Sequence, residues 1–180
     1  MNPKRHNVPR WEIGDRTRAK VADFEALENK LCLLSARFQG EREEYDQYFG
    51  PEDRKMIVRI RNRDGVSFLT FKSLSQSTEV CAWQEWETKI EDADALEKIL
   101  SNGLKRLVEI RKKRKTYALN DFEINLDRIQ DLGNFIEVEL ISENIPEAKK
   151  RLEKFLKELE ISEERVVREG YVQLMMKNRD

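Results

Sequence analysis

From Ala22 to Phe38 the apolar positions Phe24, Leu27, Leu31 and Leu34 recur at steps of three and four, the spacing that gathers them on one stripe of an amphipathic helix. After Phe38 the period changes. Glu41 to Phe49, Lys55 to Asn62 and Val66 to Ser73 read as strands, separated by Gly-Pro-Glu-Asp and Arg-Asp-Gly. Both linkers are good turn chemistry, so consecutive antiparallel hairpins are expected. Ahead of the helix, Arg10 to Val21 alternates loosely as a first strand, with room for a bulge at Gly14.

Further strands are expected over Ser77 to Ile90, Lys105 to Leu119, Phe122 to Gln130 and Asn134 to Ser142, the middle two joined at Asn120-Asp121 and the last following a Gly133 turn. Asp92 to Gly103 predicts a short helix with Asp92 as its N-cap and Gly103 as its stop. Pro146 stands where another helix begins, and Ala148, Leu152, Phe155, Leu156 and Leu159 form the longest apolar stripe. The segment from Ser162 to Asn178 predicts one or two shorter helices. No repeat of solenoid period is present. Seven or eight antiparallel strands with helices inserted among them make an α+β fold, and the sheet is expected to close.

The strands carry charges at alternate positions: Arg59 and Arg61, Thr70 and Lys72, Glu85 and Glu87, Lys112 and Arg114, Asn125 and Asp127, Glu137 and Glu139. Side chains on a strand alternate between faces, so each pair shares one face. One reading is a sheet with a solvated face, on which opposite charges pair across strands. The other is a barrel with a charged interior. For the second, Ile57 or Val58 with Ile60, Phe71, Trp86, Ile110, Ile124 with Leu126, and Ile136, Val138 with Leu140 offer an apolar outer face for helices to cover. A charged interior of this make-up suits a polyphosphate: guanidinium and ammonium groups hold phosphate oxygens, and carboxylates hold a hard divalent cation.

Composition narrows the class. Charged residues are 38% of the 180 and hydrophobic ones 39%, with three Trp, four Tyr and eight Phe, too apolar for a disordered polyelectrolyte. Residues 1–9 are expected to form a flexible tail and 10–180 a single domain. The formal net charge of −1 conceals a basic run from Lys105 to Tyr117 and acidic stretches at Glu41 to Asp46 and Glu85 to Asp94. No recognition helix or stacking platform accompanies the basic run, which argues against nucleic acid as partner. Two cysteines, Cys32 and Cys81, lack metal-ligand spacing and fit a reducing, cytoplasmic compartment. No stretch is long and apolar enough for a signal or membrane span, so no membrane role is expected. The single histidine, His6, lies in the expected tail, which turns any catalysis toward carboxylates, Lys, Arg, Tyr or metal.

The order of motifs resembles the CYTH superfamily, the triphosphate tunnel enzymes that include class IV adenylyl cyclases and thiamine triphosphatases. The resemblance is carried by KVADFEALENKL after the first strand, YDQYF at 45–49, VRIR at 58–61, LTFK at 69–72 and QEWETKIEDADALEKIL at 84–100. It continues in RKKRKTY at 111–117, INLDRIQDLGNFIEVEL at 124–140 and GYVQLM at 170–175. It implies a closed eight-stranded antiparallel barrel, a tunnel with helices packed outside, that grips a triphosphate. Carried over by position, Arg59, Arg61, Lys72, Lys112 and Arg114 would contact phosphate. Glu85, Glu87, Asp127, Glu137 and Glu139 would hold Mg or Mn or support its ligands. ATP, thiamine triphosphate and tripolyphosphate share the part that such a tunnel grips. The implied chemistry is hydrolysis of a triphosphate or cyclisation of ATP to cyclic AMP. A homodimer is left open.

This sequence departs from the family in the first strand. Where the family opens on E-x-E-x-K, the ungapped register has Gly14, Arg16 and Arg18. Arg18 thereby takes the place of the phosphate-binding lysine, and both carboxylates are missing. The departure opens an alternative: a metal-independent module that binds an anion or nucleotide and has lost catalysis.

Overall fold

The protein is described by a computed structural model over residues 10–11, 14–51, 55–74, 83–141 and 145–179. In chain order these form β1 (Arg10–Trp11), β2 (Gly14–Val21), α1 (Glu25–Leu33), β3 (Arg37–Gly50), β4 (Met56–Arg63), β5 (Val66–Leu74) and β6 (Trp83–Ile90). Then follow α2 (Ala93–Gly103), β7 (Lys105–Leu119), β8 (Phe122–Ile129), β9 (Gly133–Ile141), α3 (Ile145–Glu158), β10 (Val166–Val167) and α4 (Tyr171–Lys177). The fold is α+β, a large antiparallel sheet with four helices among the described residues. Eight strands have eight residues or more, and β1 and β10 are two-residue additions.

The chain divides into two compact units, residues 1–12 with 46–109 and residues 13–45 with 110–180. In the first, strands neighbour one another in the order β1-β6-β5-β4-β3-β7, and in the second in the order β3-β7-β8-β9-β2-β10, since β3 and β7 run through both. Hydrogen bonding among the described strands does not close the sheet, so the expected closed barrel is not part of the bonded structure.

Local chemistry explains the hairpins. Arg63 pairs with Val66 across Asp64-Gly65, and Leu119 with Phe122 across Asn120-Asp121. Asp64, Gly65 and Asn120 have φ of 50°, 82° and 53°, the left-handed conformation that two-residue hairpin turns demand and that Gly, Asn and Asp tolerate. Asp92 caps α2 as expected, its Oδ1 accepting from Ala95 N at 2.8 Å.

Several boundaries differ from expectation. The helix expected to reach Phe38 ends at Leu33, because Ser35 turns left-handed at φ 61° and Ala36 N bonds back to Leu31 O at 2.9 Å, a helix-terminating arrangement. The chain then enters β3 earlier than expected. The single first strand is two: Arg10 pairs with Glu85 on β6, while β2 pairs with β9 in an unbroken register from Gly14↔Ile141 to Val21↔Asn134. Gly14 is therefore an ordinary ladder position. The segment expected to hold one or two shorter helices forms a 3-10 turn over Glu163–Arg165 and then α4, and between them the β-branched pair Val166-Val167 adds to the edge of β2. Residues 1–9, 52–54 and 75–82, where a tail, a turn and the start of a strand were expected, lie outside the described residues.

Each unit has its own apolar core. In the first, Phe49, Val58 and Ile60 pack with Leu69, Phe71 and the Leu96 and Leu100 stripe of α2. In the second, Ile124, Leu126, Ile136, Val138 and Leu140 meet Phe24 at the N-cap of α1, Leu27 and Leu31 within it, and Leu152, Phe155 and Leu156 of α3. Each fully buried aliphatic or Phe side chain contributes roughly 1.5–3 kcal/mol, so this face fixes the register of the whole sheet. Two expected members behave otherwise. Ile110 has the parity of Lys112 and Arg114 and is buried on their face of β7, and Trp86 remains 40% exposed.

Candidate functional site

With one face of β4, β5, β8 and β9 committed to the cores, the alternating charges stand on the other face of the sheet, and their burial separates the two readings of the sequence. Arg59, Arg61, Lys112 and Arg114 are 6–7% exposed, Glu137 is 2% and Asn125 and Asp127 are wholly buried. Charged side chains are almost never buried at this level unless paired. A plain solvated face is thereby overturned for these positions.

In the first unit, cross-strand register lines up Arg59 with Thr70 and Thr70 with Glu87, and Lys72 with Glu85. Arg59 Nη2 donates to Thr70 Oγ1 at 2.9 Å, Glu87 Oε2 at 3.2 Å and Glu85 Oε1 at 3.4 Å. Lys72 Nζ pairs with Glu85 Oε2. Arg61 is held from β3: its Nε and Nη2 donate to Asp46 Oδ1 and Oδ2, both at 2.6 Å, and the Tyr48 hydroxyl donates to Asp46 Oδ2 at 3.1 Å. Burial, then the Asp46 charge, pushes the Tyr48 phenol up to about 12, which keeps it a donor. Arg59 Nε is buried and finds no acceptor among the described residues.

In the second unit, Arg114 stands opposite Asp127 and Glu137 opposite both Asn125 and Arg18. Arg114 Nε and Nη2 donate to Asp127 Oδ1 and Oδ2 at 2.6 and 2.5 Å, and Nη2 also reaches Glu137 Oε1 at 3.2 Å. Arg18 Nε pairs with Glu137 Oε2, and Arg16 Nε lies 2.9 Å from Glu139 Oε1 and 3.9 Å from Glu137 Oε1. Lys112 Nζ lies 3.1 Å from Glu44 Oε2 and 4.0 Å from Asp127 Oδ2. Tyr171 of α4 donates to Asp127 Oδ2 at 3.0 Å, with the Arg18 guanidinium 5.0 Å from its ring.

Electrostatics follows from this crowding. Burial alone would raise the Glu137 carboxyl, but Arg18, Arg16, Arg114 and Lys112 outweigh it and hold Glu137 well below the usual carboxylate range. Burial would likewise weaken the Arg114 proton, and Asp127, with Glu137 and Glu44, reverses that and holds it more firmly than usual. Burial, with the charges of Asp127 and Glu137, pushes the Tyr171 phenol far up.

All the expected phosphate-contact and carboxylate residues therefore lie on these polar faces: Arg59, Arg61, Lys72, Glu85 and Glu87 in the first unit, and Arg18, Lys112, Arg114, Asp127, Glu137 and Glu139 in the second. Sequence reasoning missed Asp46, Glu44 and the hydroxyls of Tyr48 and Tyr171. Glu44, Asp46 and Tyr48 do alternate along β3, but Gln47 between them and Phe49 after them are buried as well, which masks the period. The basic run also resolves. Lys112 and Arg114 point inward, while Arg111 and Lys113 are exposed, and Lys113 pairs with Glu41 at 2.8 Å. It is not one continuous cationic surface.

A family model described as the CYTH domain matches residues 16–171. The chain belongs to the CYTH family. A curated Methanocaldococcus jannaschii protein, provisionally named an adenylate cyclase, is 32% identical over 166 residues, covering 87% of this CYTH chain and 95% of its own. A Pyrococcus horikoshii protein of known structure superposes with a TM-score of 0.79 at 27% identity, covering 90% of this chain and 99% of its own. A Hippeastrum protein, provisionally named an adenylyl cyclase and described as having a dominant triphosphatase activity, shares the CYTH fold at a TM-score of 0.63 and 16% identity, covering 93% and 95%.

CYTH proteins are generally metal-dependent, which makes the carboxylates candidate ligands. Their oxygens suit a hard divalent cation. Yet Glu137 and Glu139 are engaged by Arg18 and Arg16, Asp127 by Arg114 and Tyr171, and Glu85 and Glu87 by Lys72 and Arg59. No group of three or more His, Cys, Asp or Glu among the described residues is arranged to hold a metal ion. The residues as arranged do not fit a resident metal. No helix among the described residues is long and apolar enough to cross a membrane.

Proposed function

We propose that this CYTH protein binds a triphosphate-containing small molecule through the cations of its polar faces: Arg59, Arg61 and Lys72 in the first unit, and Arg18, Lys112 and Arg114 in the second. The observation that carries the reading is Arg59. Its buried Nε has no acceptor among the described residues, a state that costs about 1–3 kcal/mol and that a phosphate oxygen would relieve. The other cations are held by carboxylates, which a polyphosphate can replace as charge-assisted acceptors.

Turnover extends the proposal. Hydrolysis of the triphosphate, or cyclisation of ATP to cyclic AMP, would use added Mg or Mn, with Glu85 and Glu87 of the first unit, which are less buried than Asp127 and Glu137, as the carboxylates on offer. The closed eight-stranded barrel and a cytoplasmic location belong to this proposal as well. So does a homodimer, for which exposed Trp86 and Ile99 offer apolar surface. A second reading, metal-independent anion binding without turnover, is favoured by Arg16 and Arg18 on Glu139 and Glu137.

The test is the thermal midpoint titrated with tripolyphosphate, with Mn or with EDTA, since a ligand that binds only the folded state raises it. Stabilisation that needs Mn supports a metal enzyme, and assays of phosphate and cyclic AMP release then name the reaction. Equal stabilisation in EDTA supports the second reading. No stabilisation in either refutes triphosphate binding.

A further inference from the structure

The two units each contain the same three-residue device. In the first, Asp46 takes Arg61 Nε on Oδ1 and Arg61 Nη2 on Oδ2, and Tyr48 donates to Oδ2. In the second, Asp127 takes Arg114 Nε on Oδ1 and Arg114 Nη2 on Oδ2, and Tyr171 donates to Oδ2. The atoms correspond one for one. Their sources differ: Tyr48 follows Asp46 by two residues on one strand, whereas Tyr171 comes from α4 after the whole sheet is complete. All six residues are buried.

We infer that Asp46 with Tyr48, and Asp127 with Tyr171, are positioning residues that fix the planes of Arg61 and Arg114 for anion binding, and that Asp127 is not a metal ligand in this protein. The inference rests on the phosphate-binding reading. An arginine presents five N–H donors in a rigid fork. A bidentate aspartate occupies the Nε edge and so dictates where the opposite edge points. A buried guanidinium with an aspartate alone keeps a hinge about the pair, and the tyrosine bond to Oδ2 removes it. Both carboxylates spend their oxygens on this task, which leaves Asp127 poorly suited to a cation. The raised phenols of Tyr48 and Tyr171 keep both hydroxyls protonated and donating.

The experiment is calorimetric titration of the full chain with tripolyphosphate in EDTA, on wild type, Tyr48→Phe and Tyr171→Phe, and on Arg61→Lys and Arg114→Lys with and without the matching Phe change. Thermal midpoints accompany each variant. Each Phe change is expected to raise Kd by about 5- to 10-fold, the scale of one ordinary net hydrogen bond. It should add nothing in the matching Lys background, where no bidentate pair remains to be oriented. Phe variants that melt earlier yet bind within twofold of wild type would overturn the inference, as would losses of equal size in the Lys backgrounds. A wild type without measurable affinity both in EDTA and in a parallel titration with Mn overturns the phosphate-binding reading and this inference together; a wild type that binds in either, matched there by both Phe variants, overturns this inference alone.

Discussion

Replacing Glu137 by Gln removes one negative charge from the most crowded part of the second unit while keeping the shape of the side chain. Glu137 is 2% exposed and has Arg18, Arg16 and Arg114 within 4 Å. Removing one partner of a buried ion pair costs about 3–5 kcal/mol, because the opposite charge stays buried without compensation. Here Arg18 and Arg114 keep partial access to Gln oxygen, so the lower end, about 3 kcal/mol, applies. For a chain of this size that is a drop in Tm of about 6–12 °C. The pH dependence has a definite sign. The folded pKa of Glu137 lies below its ordinary value of 4.5, so its stabilisation is fully present above that value and is lost as pH falls through the folded pKa. Wild type should therefore lose stability in acid more steeply than Glu137→Gln. Urea unfolding at neutral pH and again in acid reads both effects, and tripolyphosphate should restore more of the lost midpoint in the variant than it adds to wild type. A variant as stable as wild type at neutral pH, with the same acid limb, would refute the argument that these cations depend on Glu137.

Arg59→Lys keeps the charge but loses the Nε donor, and should weaken tripolyphosphate binding by at least tenfold in calorimetry while shifting Tm little. The Tyr48 phenol, pushed up to about 12, contributes stability that is full below its ordinary value of 10.0 and is lost as pH rises through the folded value; ultraviolet titration of wild type against Tyr48→Phe should show one fewer late-ionising phenol in the variant. Asp92→Ala removes the acceptor for Ala95 N and should cost about 1 kcal/mol in urea unfolding without changing anion affinity. Exchanging Asp46, Arg61 and Tyr48 together for Leu, Met and Phe, so that no buried donor is left without its acceptor, should leave stability unchanged or raise it by about 1–4 kcal/mol, as for other buried pairs replaced by apolar residues, while tripolyphosphate affinity falls.

Much of this was legible because strands and helices impose different periods. The charges at 59, 61, 112, 114, 137 and 139 could be assigned to one face from alternation alone, and the apolar residues at 124, 126, 136, 138 and 140 to the other. Whether the charged face met water or protein could not, since both arrangements give the same alternation; only the burial of Arg59 and Asp127 decides it. The Asp127–Tyr171 bond spans 44 residues and leaves no trace in local pattern. The end of α1 depends on one left-handed residue, Ser35, in a stretch whose apolar spacing continues through Leu34. Ile110 was misplaced by its chemistry: an isoleucine suggests the apolar face, but strand parity puts it beside Lys112.

The altered first strand is the point at which sequence and structure press hardest on function. At the three positions where the family has E-x-E-x-K, charges of −1, −1 and +1 would sum to −1, whereas Gly14, Arg16 and Arg18 sum to +2. The register then sets Arg16 against Glu139 and Arg18 against Glu137. Two guanidiniums thus bring to these carboxylates the same charge as one divalent ion, already covalently attached and requiring no association. A metal entering here would have to displace both arginines from a face where Arg114 and Lys112 also repel it, each unit charge at 4 Å being worth about 4 kcal/mol at an effective dielectric constant of 20. An incoming polyphosphate meets the opposite balance, because it can exchange with carboxylates that already neutralise these arginines. The same two substitutions therefore weaken the case for metal in the second unit and strengthen the case for anion capture, and any metal-dependent turnover must draw on Glu85 and Glu87, the less buried carboxylates of the first unit.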